Sequence, residues 1–177
     1  SEYHFPIVAD WEHVGTAVVD WIEQREQLDS DAIGAWGVSL GGYYAPRMVS
    51  GEPRIRACAA LAGPYAWGDV WDQLPELTRR TFTFRSHLAN QDDAKEYSQL
   101  LTLEGRTESI QCPLLIVFGA MDRLIPKDGA ERLARETGGT LLMLEDGNHG
   151  CMNVAAKHRN KTADWMAAKL GVRLPSA

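Results

Sequence analysis

Three short stretches carry residues that could do chemistry together. In Gly37-Val38-Ser39-Leu40-Gly41 a serine stands between two glycines. Asp122 closes Gly119-Ala120-Met121-Asp122, and His149 sits in Gly147-Asn148-His149-Gly150. A serine hydroxyl is a poor nucleophile at neutral pH and needs a base to take its proton. An imidazole fits that task, and a carboxylate fixes the imidazole's tautomer and stabilises its charged form. The chemistry these three types suit is attack on an electrophilic carbonyl. The glycine-flanked serine alone is a weak signal, because a solvated serine in a glycine turn reads the same way; its surroundings must decide.

Those surroundings are strand ends. Ala32-Ile33-Gly34-Ala35-Trp36 is a short apolar run that leads into the serine, and Tyr43–Val49 after it reads as helix, with Gly51 as its stop. A strand turning at once into a helix holds the corner residue in a strained backbone. Small flanking residues let the two segments approach, and the amide of Leu40 stands at a helix N-terminus, where it can donate to a developing oxyanion. Pro46 conflicts with that helix, since it lacks a donor. Pro113–Phe118 is the clearest strand of the chain, and Asp122 lies just past it; Thr140–Leu144 is another, and His149 lies just past that.

Further elements complete the pattern. Val8, Trp11, Gly15, Val18 and Ile22 recur at helical spacing, with Pro6 where a helix start tolerates it. Ile55–Ala62 reads as a buried strand closed by Gly63-Pro64. Residues 65–111, rich in Trp, Leu, Phe and charge, read as a helical insertion. A helix is expected near Lys127–Glu136, ended by Gly138-Gly139, and a last one over Asn153–Leu170, ended by Gly171. Alternating units of this kind make an α/β fold with a parallel sheet of about four strands, flanking helices and a helical cap insertion. The core is residues 1–64 and 112–177, and the cap is 65–111. The carboxyl ends of parallel strands share one edge, so Ser39, Asp122 and His149 are expected together there.

Asp146 is the rival acid. Asp122 is preferred because Asp146 shares the histidine loop and would have to fold back on it; Asp128 reads as a cap of the following helix. His4, His13, His87 and His158 lack a strand-end setting. No Cys/His spacing suggests zinc, and no G-x-G-x-x-G follows a strand, so no metal and no cofactor is expected.

Composition sets the outer limits. The 177 residues are 45% hydrophobic and 24% charged, with net charge −6 and no basic stripe. That suits one globular domain and gives no reason to expect nucleic-acid or membrane partners. No apolar run approaches the roughly 20 residues of a membrane helix, and Ser1–His4 lacks a leader pattern. Cys58, Cys112 and Cys151 are odd in number, and two fall in or beside apolar runs. Free thiols in the reducing cytoplasm are the expectation.

In order, "GVSLGGYYAPRM", "PLLIVFGAMDRLIP" and "DGNHGC" resemble the α/β-hydrolase superfamily. With "DWEHVGTAVVDWI" and "GEPRIRACAALAGPYAWGDVWDQL" they are most similar to the dihydroxypseudooxynicotine hydrolase and esterase-like group. The resemblance implies a triad of Ser39, Asp122 and His149, acting on a small carbonyl substrate, either an ester or a ketone cleaved at a carbon–carbon bond. It also implies an additional acid beyond the second strand, for which Asp69, Asp72 and Glu76 are candidates. Trp67 and Trp71, with Tyr65, Phe82 and Phe84, could line an aromatic pocket, although a packed cap interior competes for them. A serine peptidase and a non-catalytic ligand-binding protein are the alternatives. The resemblance further implies strands ahead of the serine strand, one followed by a loop carrying a second oxyanion amide. Those strands are not in this chain, so it is expected to be a C-terminal portion. Its open strand edge is then expected to be covered by a missing N-terminal segment or by a second copy in a homodimer.

Overall fold

A computed structural model describes residues 5–172, so Ser1–His4, read above for a leader, lies outside the described residues. Four strands form one parallel sheet in chain order: β1 (Gly34–Val38), β2 (Ala57–Leu61), β3 (Leu114–Gly119) and β4 (Thr140–Leu144). Gly34 pairs with Ala57, Cys58 with Leu114 and Leu115 with Thr140, so all four strands end along one edge. Every residue of β2 and β3 is buried, as expected of central parallel strands covered on both faces. β1 is different: it is an edge strand with alternating exposure, and Trp36 and Val38 are 51% and 45% exposed.

The alternation of side chains across the sheet divides the core. On one face Cys58, Ala60, Ala62, Leu114, Ile116 and Phe118 pack beneath helices α1 (Glu12–Glu23), α2 (Leu40–Val49) and α5 (Asp128–Thr137). On the other, Ala59, Leu61, Leu115 and Val117 meet Trp165 and Met166 of helix α6 (Ala155–Leu170). Between β2 and β3 the chain is helical, with a 3-10 turn at Gly68–Gln73, then α3 (Glu76–Arg85), α4 (Gln91–Ser98) and a short turn at Thr107–Ser109. An isolated antiparallel bridge from Ala66 to Thr102 closes this excursion.

Several expectations shift in detail. The first helix starts at Glu12, well after Pro6, and buries Gly15 and Val19, while Val18 is 48% exposed. Its buried stripe is narrower than the apolar spacing suggested. The last helix starts at Ala155, because Gly150 and Cys151 adopt φ of 68° and 53° and break the turn before it. Asp128 makes no cap hydrogen bond; it is the first residue of α5, where its charge favours the helix dipole. Pro46 lies fully buried inside an unbroken α2. Its missing donor would have served the carbonyl of Gly42, and Gly63 closes on that carbonyl: a Cβ on Gly63 would lie 2.4 Å from the oxygen.

One ion pair ties these layers together. Arg47 of α2, 6% exposed at its side chain, donates to both oxygens of Glu12 of α1 at 2.6 and 3.0 Å and to the carbonyl of Thr102 at 2.9 Å. Burial pushes the Glu12 carboxyl up. The Arg47 hydrogen bonds and charge outweigh that and hold it below its ordinary value. Stability from this carboxylate is therefore full above its unfolded pKa and is lost as pH falls through the lowered folded value. Two outcomes are expected in chemical denaturation. Arg47→Ala destabilises the fold by about 3 kcal/mol at neutral pH, because it strands a partly buried charge. Glu12→Gln flattens the loss of stability between neutral pH and about pH 3.

Candidate active site

The serine sits where β1 becomes α2. Ser39 has φ 58° and ψ −122°, a conformation that costs a non-glycine residue about 1–3 kcal/mol. Its N–H donates to the carbonyl of Leu61 at 2.9 Å, which fixes the corner on the neighbouring strand. The tight turn needs bare backbone. A Cβ on Gly37 would stand 1.9 Å from the carbonyl oxygen of Gly41. As the first residue of α2, Leu40 has an N–H with no acceptor inside the helix, so it is available to an oxyanion beside Ser39.

Asp122 is placed by the loop after β3. Its N–H donates to Gly119 O at 3.0 Å, and its Oδ1 accepts from the amides of Leu124 and Ile125 at 2.8 and 3.1 Å. The carboxylate thus shapes its own turn, and its side chain is 1% exposed. The loop after β4 lies directly over it. Ala120 N–H reaches Leu144 O and Met121 N–H reaches Gly147 O, both at 2.9 Å. A Cβ on Gly119 would lie 2.3 Å from Gly147 O, so the crossing depends on glycine. Asn148 and Asn153 brace the histidine turn: Asn148 N–H donates to Asn153 Oδ1 at 2.9 Å, and Asn153 Nδ2 donates to Asp146 O at 2.7 Å.

These three loops bring the expected residues into contact. His149 Nε2 lies 2.8 Å from Ser39 Oγ, and His149 Nδ1 lies 2.8 Å from Asp122 Oδ2. An ionised Asp122 only accepts, so Nδ1 carries the proton and Nε2 offers its lone pair to the serine hydroxyl. Asp146 points elsewhere, held by Lys157 Nζ at 2.5 Å. Cys151, the nearby thiol, is 1% exposed. Burial first, then the Asp122 and Asp146 charges, push its pKa up, so it is no rival nucleophile.

A cavity of about 460 Å³ opens beside His149, lined by Pro75, Met121, Arg123, Leu124, Asp146 and Asn148 among others. Here the sequence expectations need correction. Trp67 and Trp71 are each 3% exposed and pack around Phe82, so they form the interior of the insertion and do not reach this cavity. Asp69 lines a separate, smaller cavity with Ile125 and Pro126. Asp72 is paired with Lys95, and Glu76 with Arg79 and Gln91. Tyr65 donates to Glu136, and Phe84 is 71% exposed. The insertion meets the cavity through Pro75, a residue whose type gave no signal. Arg123 was also missed; its place directly after the acid was the available clue. Among the described residues no group of three or more His, Cys, Asp or Glu side chains could hold a metal ion, and no helix is long and apolar enough to cross a membrane.

Comparison with known proteins places the fold. The prolyl oligopeptidase family matches residues 15–173. A 2,6-dihydropseudooxynicotine hydrolase of Paenarthrobacter nicotinovorans is 33% identical over 164 residues, covering 90% of this chain and 44% of that protein. The hydrolase ffsE of Aspergillus flavipes is 43% identical over 72 residues, 36% of this chain and 15% of that one. The crystal structure of 2,6-dihydroxy-pseudo-oxynicotine hydrolase superposes with a TM-score of 0.86 at 30% identity, over 97% of this chain and 50% of that one. An acylaminoacyl peptidase of Pyrococcus horikoshii, at 18% identity and TM-score 0.69, covers 94% of this chain and 29% of its own; it shares the fold. The chain therefore spans about half the length of these dihydropseudooxynicotine hydrolase relatives.

The glycine crossing yields a test. Gly119→Ala is expected to push the histidine loop away from Asp122, lowering stability by about 1–3 kcal/mol. Reactivity of Ser39 toward a fluorophosphonate should fall by more than that stability loss explains, when labelling is measured on the folded fraction.

Proposed function

The chain belongs to the prolyl oligopeptidase family, within the α/β-hydrolases, and from that premise we propose that it supplies the catalytic triad of a serine hydrolase. The observation that carries this reading is the unbroken relay of two 2.8 Å contacts from Ser39 Oγ through His149 to Asp122. Ser39 attacks the carbonyl carbon of a small substrate while His149 Nε2 takes the hydroxyl proton. Asp122 steadies the imidazolium that results. The oxyanion accepts from the Leu40 amide. His149 then returns the proton to the leaving group, an alkoxide oxygen in an ester or a carbon in a ketone. For a ketone the departing carbanion must be stabilised by a neighbouring carbonyl or aromatic ring. Water, deprotonated by His149, releases the acyl group and restores Ser39.

Similarity to a protein named 2,6-dihydropseudooxynicotine hydrolase favours a small carbonyl compound as substrate. A peptide bond is the second reading, favoured by the family's name and by the fold shared with an acylaminoacyl peptidase. The helical insertion over 65–111 would act as a cap, reaching the substrate through Pro75. The free thiols of Cys58, Cys112 and Cys151 support a reducing, cytoplasmic setting. Exposed Trp36, Val38 and Trp21 support pairing of the β1 edge with a further strand of the protein or with a second copy.

A fluorophosphonate is expected to label Ser39 in the full-length protein, and labelling should disappear in Ser39→Ala with the fold retained. Equal labelling of both proteins would overturn the assignment. Asp122→Asn should keep the turn at Leu124 while lowering kcat by about 10⁴, as expected when the imidazole tautomer is no longer fixed. Product analysis on ester, ketone and peptide substrates separates the classes.

A further inference from the structure

The cavity beside His149 presents a cation that the triad does not use. Asp122 Oδ1 gathers the amides of Leu124 and Ile125, and this turn sets Arg123 and Leu124 on the cavity wall next to the catalytic histidine. Arg123 is exposed, and among the described residues it makes no hydrogen bond or ion pair. The other charges facing this space are already engaged. Asp146, which lines the same cavity, is held by Lys157 at 2.5 Å, and Asp122 is turned to His149 and its own turn amides. Asn148 also lines the wall. Its Oδ1 accepts from Asn153 N–H at 3.4 Å, while its side-chain amide N–H groups have no acceptor among the described residues. Asn153 lines the wall too, its amide engaged by Asn148 and Asp146, and the lining at Pro75, Met121 and Leu124 is apolar.

A cleft with an apolar wall, one unpaired guanidinium and one unpaired amide donor, in which the carboxylates of Asp122 and Asp146 are already engaged by other partners, selects for a negative charge. A planar fork of N–H donors matches a carboxylate in particular. We propose that Arg123, supported by Asn148, binds a carboxylate on the substrate, so that the carbonyl compound attacked by Ser39 is an anionic acid derivative. This rests on the triad reading above and extends it to substrate class. Arg123 is a specificity residue: it holds the substrate's charge while the apolar wall accommodates the carbon chain between that charge and the reacting carbonyl.

The test compares two fluorophosphonates of equal chain length, one ending in a methyl group and one in a carboxylate, by their rate constants for labelling Ser39 in the full-length protein. Wild type is expected to favour the carboxylate probe by about tenfold or more, the range of a charge-assisted pair. Arg123→Gln should collapse that ratio, Arg123→Glu should invert it, and Arg123→Lys should retain part of it. An unchanged ratio in Arg123→Gln, even with both rates lowered, overturns the proposal, because it marks a structural role. Absence of carboxylate preference in wild type overturns it too. Labelling of Ser39 by neither probe would instead bring down the triad reading, and this inference with it.

Discussion

The sheet edge that carries Ser39, Asp122 and His149 is possible because peptide backbone touches peptide backbone at three places. Gly37 meets Gly41 inside the serine corner, Gly42 meets Gly63 where α2 crosses the end of β2, and Gly119 meets Gly147 where the acid and histidine loops cross. A methyl group at Gly37, Gly42, Gly63 or Gly119 would stand 1.9–2.4 Å from a neighbouring main-chain atom. Hydrogen bonding from histidine to serine and to aspartate requires three loops from three strands to converge within side-chain reach. Ordinary side-chain packing would hold them several ångströms too far apart. The bare crossings remove that spacing, and the short loop-to-loop hydrogen bonds, Ser39 to Leu61 and Met121 to Gly147, then hold it closed.

Much of this was legible in the sequence because it lies in local chemistry. Apolar runs bounded by glycine gave the four strands, and order along the chain gave their parallel pairing. Ser39, Asp122 and His149 stood out because each follows such a run. What was not legible depends on partners far apart in sequence. Glu12 has no charged partner near it in sequence, yet it is bound by Arg47, 35 residues on. The tryptophans of the insertion could have faced a ligand or one another, and only the packing of Trp67 and Trp71 around Phe82 decides it. Pro46 looked like a helix breaker because the approach of Gly63 to Gly42 has no local signature.

Charge around Ser39, His149 and Asp122 is distributed so that neighbouring groups are engaged elsewhere. The Asp122 side chain is almost wholly buried with both oxygens partnered, Oδ1 by two turn amides and Oδ2 by the histidine. Asp146, four residues on the exposed side of the same region from Gly150, is drawn off by Lys157. The neighbouring thiol of Cys151 has its pKa pushed up by burial and then by the charges of Asp122 and Asp146. The contacts among Ser39, His149 and Asp122 therefore face little competition from these two neighbours.

The sheet order follows the chain order, β1 to β4, with no strand inserted between two earlier ones. Such a sheet can grow by adding each strand to the one made just before it, as it would during synthesis from the ribosome. The serine corner and the aspartate turn then precede the histidine, which joins only when β4 and the turn before α6 have docked. Of the three side chains His149 is the last to be placed, so Ser39 and Asp122 stand at their strand ends before the residue that bridges them is in position.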